Sequence, residues 1–184
     1  TVENGRASGV RLADGERRHA EIVVSNADTA WTYRHLVPAA HRRHWTDARV
    51  DKARYSMSLF VWYFGTRRRF EGVPHHMMLL GPRYKGLLDD IFHRHHLAED
   101  FSLYLHRPSA TDPSVAPPGQ DAFYVLSPVP HLDSGTDWAT QAEPYRQAIQ
   151  RRLEETVLPG LGAEIVSSRI TTPQDFKDRL LSFK

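Results

Sequence analysis

Along the chain the spacing of apolar residues changes several times, and each change predicts an element. Residues 58–65, SLFVWYFG, alternate as a strand does. Leu59, Val61 and Tyr63 take one face and Phe60, Trp62 and Phe64 the other. A strand on a solvated sheet carries a polar face, and this one has almost none. Upstream, residues 9–12 and 21–24 flank Asp14-Gly15, a pairing that predicts a β-hairpin. Residues 25–28 supply caps for a helix to about Leu36, Pro38 punctuates it, and a second helix is expected over 39–53.

Downstream, a turn at 71–74 leads to a strand at 76–80. After Gly81-Pro82, the spacing of Tyr84, Leu87, Leu88, Ile91 and Phe92 is one helical stripe. Strands are expected at 101–106 and 123–126, separated by a loop with four prolines. Tyr145, Ile149, Leu153 and Val157 repeat every four residues, with Pro144 placed near the helix start and 158–160 as its stop. A strand at 165–170 and a helix at 173–181 follow. Strands and helices intersperse without a βαβ rhythm. The expected class is α+β, a mixed or mainly antiparallel sheet with helices covering one side. Residues 1–28 form a hairpin and strand, and 29–184 the main segment.

Composition narrows the chemistry. The 184 residues are 40% hydrophobic and 25% charged, with a formal charge of +2, ordinary globular values. No run of 18 apolar residues spans a membrane. The sequence begins without Met and both ends read as cuts, so a piece of a longer protein is expected. Cysteine is absent, which removes disulfides, thiolate metal sites and thiol redox chemistry. Arginines cluster at 34–54 and 66–70, patches of the kind that meet nucleic acid or anionic lipid, although a solvated face is the plainer reading.

Self-sufficient active-site motifs are missing: no G-x-S-x-G, H-E-x-x-H or P-loop occurs. Gly160-Leu161-Gly162 follows a helix, not a strand, and is no dinucleotide loop. On a helix Asp89, His93 and His96, beside Asp90 and His95, would share a face suited to zinc or copper, but an exposed polar stripe is the simpler account. His75 and His76 would point to opposite faces of a strand. His106 and Asp112 bracket a strand-to-loop junction; an acid–base pair competes there with a loop-ordering role for Asp112, which the chemistry of Asp favours. Phe60, Trp62 and Phe64 read either as core beneath helices or as the wall of a site for a large apolar ligand, because a hydrocarbon needs no polar anchor.

Several stretches in order resemble the bacterial phytoene desaturases, flavin-dependent carotene desaturases of the amine-oxidase superfamily. They are SLFVWYFG (58–65), GPRYKGLLDDIF (81–92), LAEDFSLYLHRPSATDPSVAPPG (97–119), FYVLSPVPHL (123–132), LPGL (158–161) and TPQDFKDRL (172–180). The opening residues 9–28 look like the superfamily's hairpin and strand. The resemblance implies an enzyme that binds FAD non-covalently and dehydrogenates phytoene towards lycopene. A hydride passes to the flavin, which oxygen or a quinone reoxidises. It implies a substrate domain at 29–184, with Phe60, Trp62, Phe64, Tyr104 and His106 as substrate-binding candidates. The partners implied are phytoene, partly desaturated carotenes and a membrane surface; nucleic acid is not among them. The location implied is the cytoplasm, peripheral to the membrane. The Gly-rich flavin blocks of the family are missing from this sequence. No catalytic residue is therefore named, and the segment alone is expected to hold no FAD, to be inactive and to self-associate. The rival readings are a lipid- or membrane-surface module, a carotenoid isomerase of the same superfamily, and a nucleic-acid binder using the arginine clusters.

Overall fold

A five-stranded antiparallel sheet organises the larger part of the molecule. The computed structural model describes residues 1–184, which divide into two compact units. One comprises 1–54 with 177–183, the other 55–176 with Lys184.

In the first unit, β1 (Val2–Glu3) pairs with β2 (Arg6–Ala7), and β3 (Gly9–Arg11) with β4 (Arg17–His19). The Asp-Gly hairpin forms as expected, but its second strand is 17–19 rather than 21–24. Tight pairing of Arg11 with Arg17 uses the ladder up at once, and Ile22 and Val24 are left outside any strand and exposed. Asp28 caps α1 (Thr29–Trp31), accepting from Trp31 N at 2.9 Å. The helix continues as a wider π-helical turn to Leu36. The single helix expected over 39–53 is instead a 3-10 turn at Ala39–His41 and α2 (Asp47–Lys52), restarted by Thr46 as a cap. Arg34 and Arg42 of the basic stretch pair with carboxylates of α2: Arg34 with Asp51 at 2.9 Å and Arg42 with Asp47 at 2.6 Å. This offsets part of the positive charge the sequence displays there.

The second unit carries β5 (Ser58–Thr66), β6 (His76–Leu79), α3 (Tyr84–Asp89), β7 (Leu103–His106), β8 (Asp121–Val129), α4 (Trp138–Thr156), α5 (Leu161–Glu164) and β9 (Ile165–Thr171). The last helix is α6 (Pro173–Leu180). Strand order is β6-β7-β8-β5-β9, every neighbour antiparallel, so the expected fold class holds. β5 is central. Gly65 ends its regular pairing: a Cβ there would lie 2.7 Å from Ser167 Oγ, and the register shifts between Gly65 and Thr66.

One face of the sheet is sealed by α4. Asp137 caps this helix through Ala139 N, so it begins well before Pro144, which lies inside it rather than in its first turn. Trp138, Tyr145, Ile149 and Leu153 form its buried stripe and meet Phe60, Trp62, Phe64, Phe123, Val125 and Leu105 in one core. Phe60 packs edge-on against Tyr145 with centroids 5.0 Å apart, and Phe64 stacks on Phe123 at 5.1 Å. Tyr145, Ser127 and Trp62 have their polar atoms partnered, whereas Trp138 Nε1 is buried without a hydrogen-bond partner. Tyr145 Oη and Ser127 Oγ are 2.7 Å apart, and Trp62 Nε1 donates to Ser168 Oγ at 2.8 Å. Burial pushes the Tyr145 phenol far above its ordinary value, so it stays protonated.

A buried ion pair fixes the loops at one end of β8. Arg107 Nε lies 2.9 Å from Asp121 Oδ2, both side chains almost fully enclosed. Asp121 also accepts from Phe70 N at 2.8 Å and Ser109 Oγ at 2.7 Å, while Arg107 donates to the Val73 carbonyl at 2.7 Å. Two other segments, 70–73 and 107–109, are thereby tied to one strand end.

Two stability outcomes follow from this packing. Ile149→Ala empties a fully enclosed site and is expected to lower the unfolding free energy by about 2–5 kcal/mol in urea melts. Asp121→Ala strands the Arg107 charge and is expected to cost about 3–5 kcal/mol. Glu71→Ala, which removes only an exposed partner 3.5 Å from Arg69, is expected to cost less than about 1 kcal/mol in the same assay.

Candidate functional site

The other face of the sheet lies outside the α4 core and is unusual in what it displays. Because directly paired residues share a face, the register collects Val61 and Tyr63 of β5, Tyr124 and Leu126 of β8, Tyr104 and His106 of β7, and His76 and Met78 of β6. Their rings form a continuous array. Tyr63 and Tyr104 each lie within 6 Å of the Tyr124 centroid, and His106 meets the Tyr124 ring edge at 4.5 Å. His76 stacks on both Tyr104 and His106. Tyr63 is 44% exposed and Met78 63%, Tyr104, Tyr124 and His106 are half-buried and Val61 is enclosed, whereas the α4 face is closed.

Two of these groups are shifted towards their neutral forms. Burial, then the neighbouring Tyr104 hydroxyl, pushes the Tyr124 phenol up. Burial, then His75 and His76, pushes the His106 imidazole below its ordinary value. Arg169, opposite Tyr63 on β9, is the charged residue that borders the array. Next to it a cleft of about 540 Å³ opens between the sheet and the proline-rich loop, lined by Tyr63, Tyr124, Val115, Pro117, Val166 and Arg169. An aromatic floor with phenol edges and little charge suits an apolar ligand of extended shape.

The candidates expected from sequence therefore divide. Tyr104 and His106 lie on the open face. Phe60, Trp62 and Phe64 do not, and their assignment as a ligand wall is corrected: they are 0%, 0% and 3% exposed, enclosed by α4 on the other side of the sheet. The Arg146 guanidinium even lies 5.0 Å over the Trp62 ring. Tyr63, Tyr124 and Met78 were missed, although the alternation of β8 (Asp121–Val129) put Tyr124 and Leu126 on one side and Phe123 and Val125 on the other.

Other expected chemistry resolves in the same way. Asp112 does not reach His106. Its Oδ1 accepts from Ser114 N at 2.9 Å and Ser114 Oγ at 2.6 Å, which holds its carboxyl below the usual range and orders the loop. The helical face proposed for Asp89, His93 and His96 is broken, because α3 widens into a π-helical turn at Asp90 and His95 adopts a left-handed conformation. Asp89 pairs with Arg94 at 2.9 Å instead. Gly160, at φ 77°, turns the chain between α4 and α5, so the Gly160–Gly162 pair forms no flavin-binding loop. These residues do not fit a dinucleotide. No helix is long and apolar enough to cross a membrane.

Comparison with known proteins gives a consistent picture. No family model matches the chain. It is 50% identical over 97% of its length to a neurosporene-forming phytoene desaturase of Rhodobacter capsulatus, covering 35% of that protein. It is 53% identical to the neurosporene-forming enzyme of Cereibacter sphaeroides, over 98% of this chain and 36% of the relative. It is 47% identical to the lycopene-forming phytoene desaturase of a Paracoccus species, over 97% and 36%. Among solved structures, an oxidoreductase from Methanosarcina mazei superposes with a TM-score of 0.58 at 20% identity, over 92% of this chain and 35% of that one, a likeness of fold. The chain spans about a third of the length of the curated relatives it matches, and over nearly all of its own length it is a homologue of the phytoene desaturases, belonging to that family as a segment of the longer enzymes.

Proposed function

We propose that this chain is the substrate-facing part of a phytoene desaturase, and that the open aromatic face of its sheet holds the isoprenoid chain. The observation that carries this reading is the contrast between the two faces. One is sealed by α4. The other offers Tyr63, Tyr104, Tyr124 and Met78, outside the α4 core, with Tyr63 and Met78 exposed. A polyene or its saturated precursor gains from burial against such a surface and asks for no hydrogen bonds. Neutral phenols and a neutral imidazole add π faces without a charge that a hydrocarbon would have to desolvate.

Phytoene desaturases are generally FAD-dependent, and the flavin supplies the hydride acceptor that no side chain can be. The residues of this chain do not include a loop for it, so the contribution proposed here is to position the substrate. The relatives differ in product, neurosporene for some and lycopene for others. The length of substrate held against the face is a natural variable for that difference. A substrate that partitions into lipid has to be collected at a bilayer, which is the basis for proposing a peripheral membrane location.

The test is product analysis on a full-length desaturase containing this sequence, supplied with phytoene. Tyr63→Asp and Leu126→Asp are expected to lower turnover by at least about tenfold, since burying an unpaired charge against hydrocarbon costs several kcal/mol. Flavin absorbance should persist, and Tyr63→Phe should stay within a few-fold of the parent. Undiminished turnover with Tyr63→Asp would refute the assignment. The 184-residue chain alone is expected to show neither flavin absorbance nor turnover.

A further inference from the structure

Three imidazoles converge at the outer margin of the sheet. His76 of β6 sits opposite His106 of β7, their rings 5.0 Å apart and within 10° of parallel. His75 precedes β6 and so escapes the strand's alternation. Its ring turns onto both neighbours, 4.2 Å from His76 and 4.6 Å from His106. His75 Nε2 lies 2.7 Å from His106 Nε2, and one nitrogen of each ring lies within 4.8 Å of the other two. Nitrogens held about 2.0–2.1 Å from a tetrahedral zinc are about 3.4 Å from one another. The separations seen here bracket that value, and small rotations of the rings reach it.

Two of the remaining nitrogens are engaged as they are in metal sites, where a partner on the outer nitrogen fixes tautomer and orientation, while His106 Nδ1 is buried without a hydrogen-bond partner. His75 Nδ1 is 2.5 Å from Thr111 Oγ1, and His76 Nδ1 is 2.5 Å from Tyr104 Oη. With Nδ1–H donated to a hydroxyl, Nε2 of His75 and of His76 carries a lone pair, and the proton in the His75–His106 contact lies on His106 Nε2 and leaves that nitrogen on metal binding. No carboxylate belongs to the cluster. That argues against magnesium or calcium, which need oxygen ligands, and for the borderline ions that imidazole prefers. His76 is exposed, leaving a coordination position for water.

We propose that His75, His76 and His106 form a three-imidazole site for a divalent transition-metal ion of the zinc, copper or nickel class, clipping the edge strand β6 to β7. The site stands on its own geometry and does not depend on the substrate reading. Calorimetric titration of the 184-residue chain with zinc chloride, alongside thermal melts, tests it. One zinc per chain is expected, with a melting temperature that rises with zinc concentration. His106→Gln and His76→Gln should each weaken binding about tenfold or more, while His93→Gln and His96→Gln leave it unchanged. Because His76 is exposed, its variant keeps the packing, and its metal-free melting temperature verifies this. Absence of saturable binding, or an affinity that His76→Gln and His106→Gln do not alter, would overturn the proposal.

Discussion

The dry contact between α4 and the sheet is what the rest of the second unit depends on. Trp138, Tyr145, Ile149 and Leu153 repeat along one side of the helix and find their complement in Phe60, Trp62, Phe64, Phe123 and Val125. Enclosing side chains of this size is worth about 1.5–3 kcal/mol apiece, which outweighs any other single set of contacts in the molecule. Because the helix occupies one face completely, the opposite face is what remains to meet another surface or a ligand. Function here follows from a choice of side, and packing makes the choice.

The neutral character of the open face has the same origin. Ionic groups of the second unit are placed at its ends and loops: Arg107 with Asp121 beneath the proline-rich loop, Asp89 and Asp90 with arginines beside α3. Tyr124 and His106, lodged among other rings, lose more by ionising than they gain. A surface that is aromatic, polar only at its hydroxyl edges, and poor in charge is compatible with both a hydrocarbon guest and, at its histidine margin, a soft cation.

Much of this was legible in the sequence. Period-two spacing located β5, β7 and β9 within a residue or two, and the four-residue repeat of Tyr145, Ile149 and Leu153 found α4. What was not legible was the side of β5 that faces outward, because Val61 and Leu59 are as apolar as Phe60 and Phe64. The deciding fact lies some eighty residues away, in which face α4 selects. The start of α4 was misplaced for a related reason. Pro144 suits a first turn, but the Asp137 cap and the buried Trp138 ring outweigh the one backbone bond that an interior proline forfeits. The alternation that would set His75 opposite His76 does not apply, because His75 lies just outside the strand, which begins at His76.

The position of β5 bears on how the chain is made. It is an interior strand of the sheet, yet both of its neighbours come later: Trp62 finally bonds to Ser168, 106 residues further along. Closing contacts of such separation is slow, since chain entropy must be lost before the pairing rewards it. Throughout translation of the intervening residues an aromatic-rich strand waits with its backbone edges unfilled, open to the same strand of another nascent molecule. Yield of soluble material is therefore governed by the race between arrival of β9 and encounter between chains, and slower expression at lower temperature favours the former.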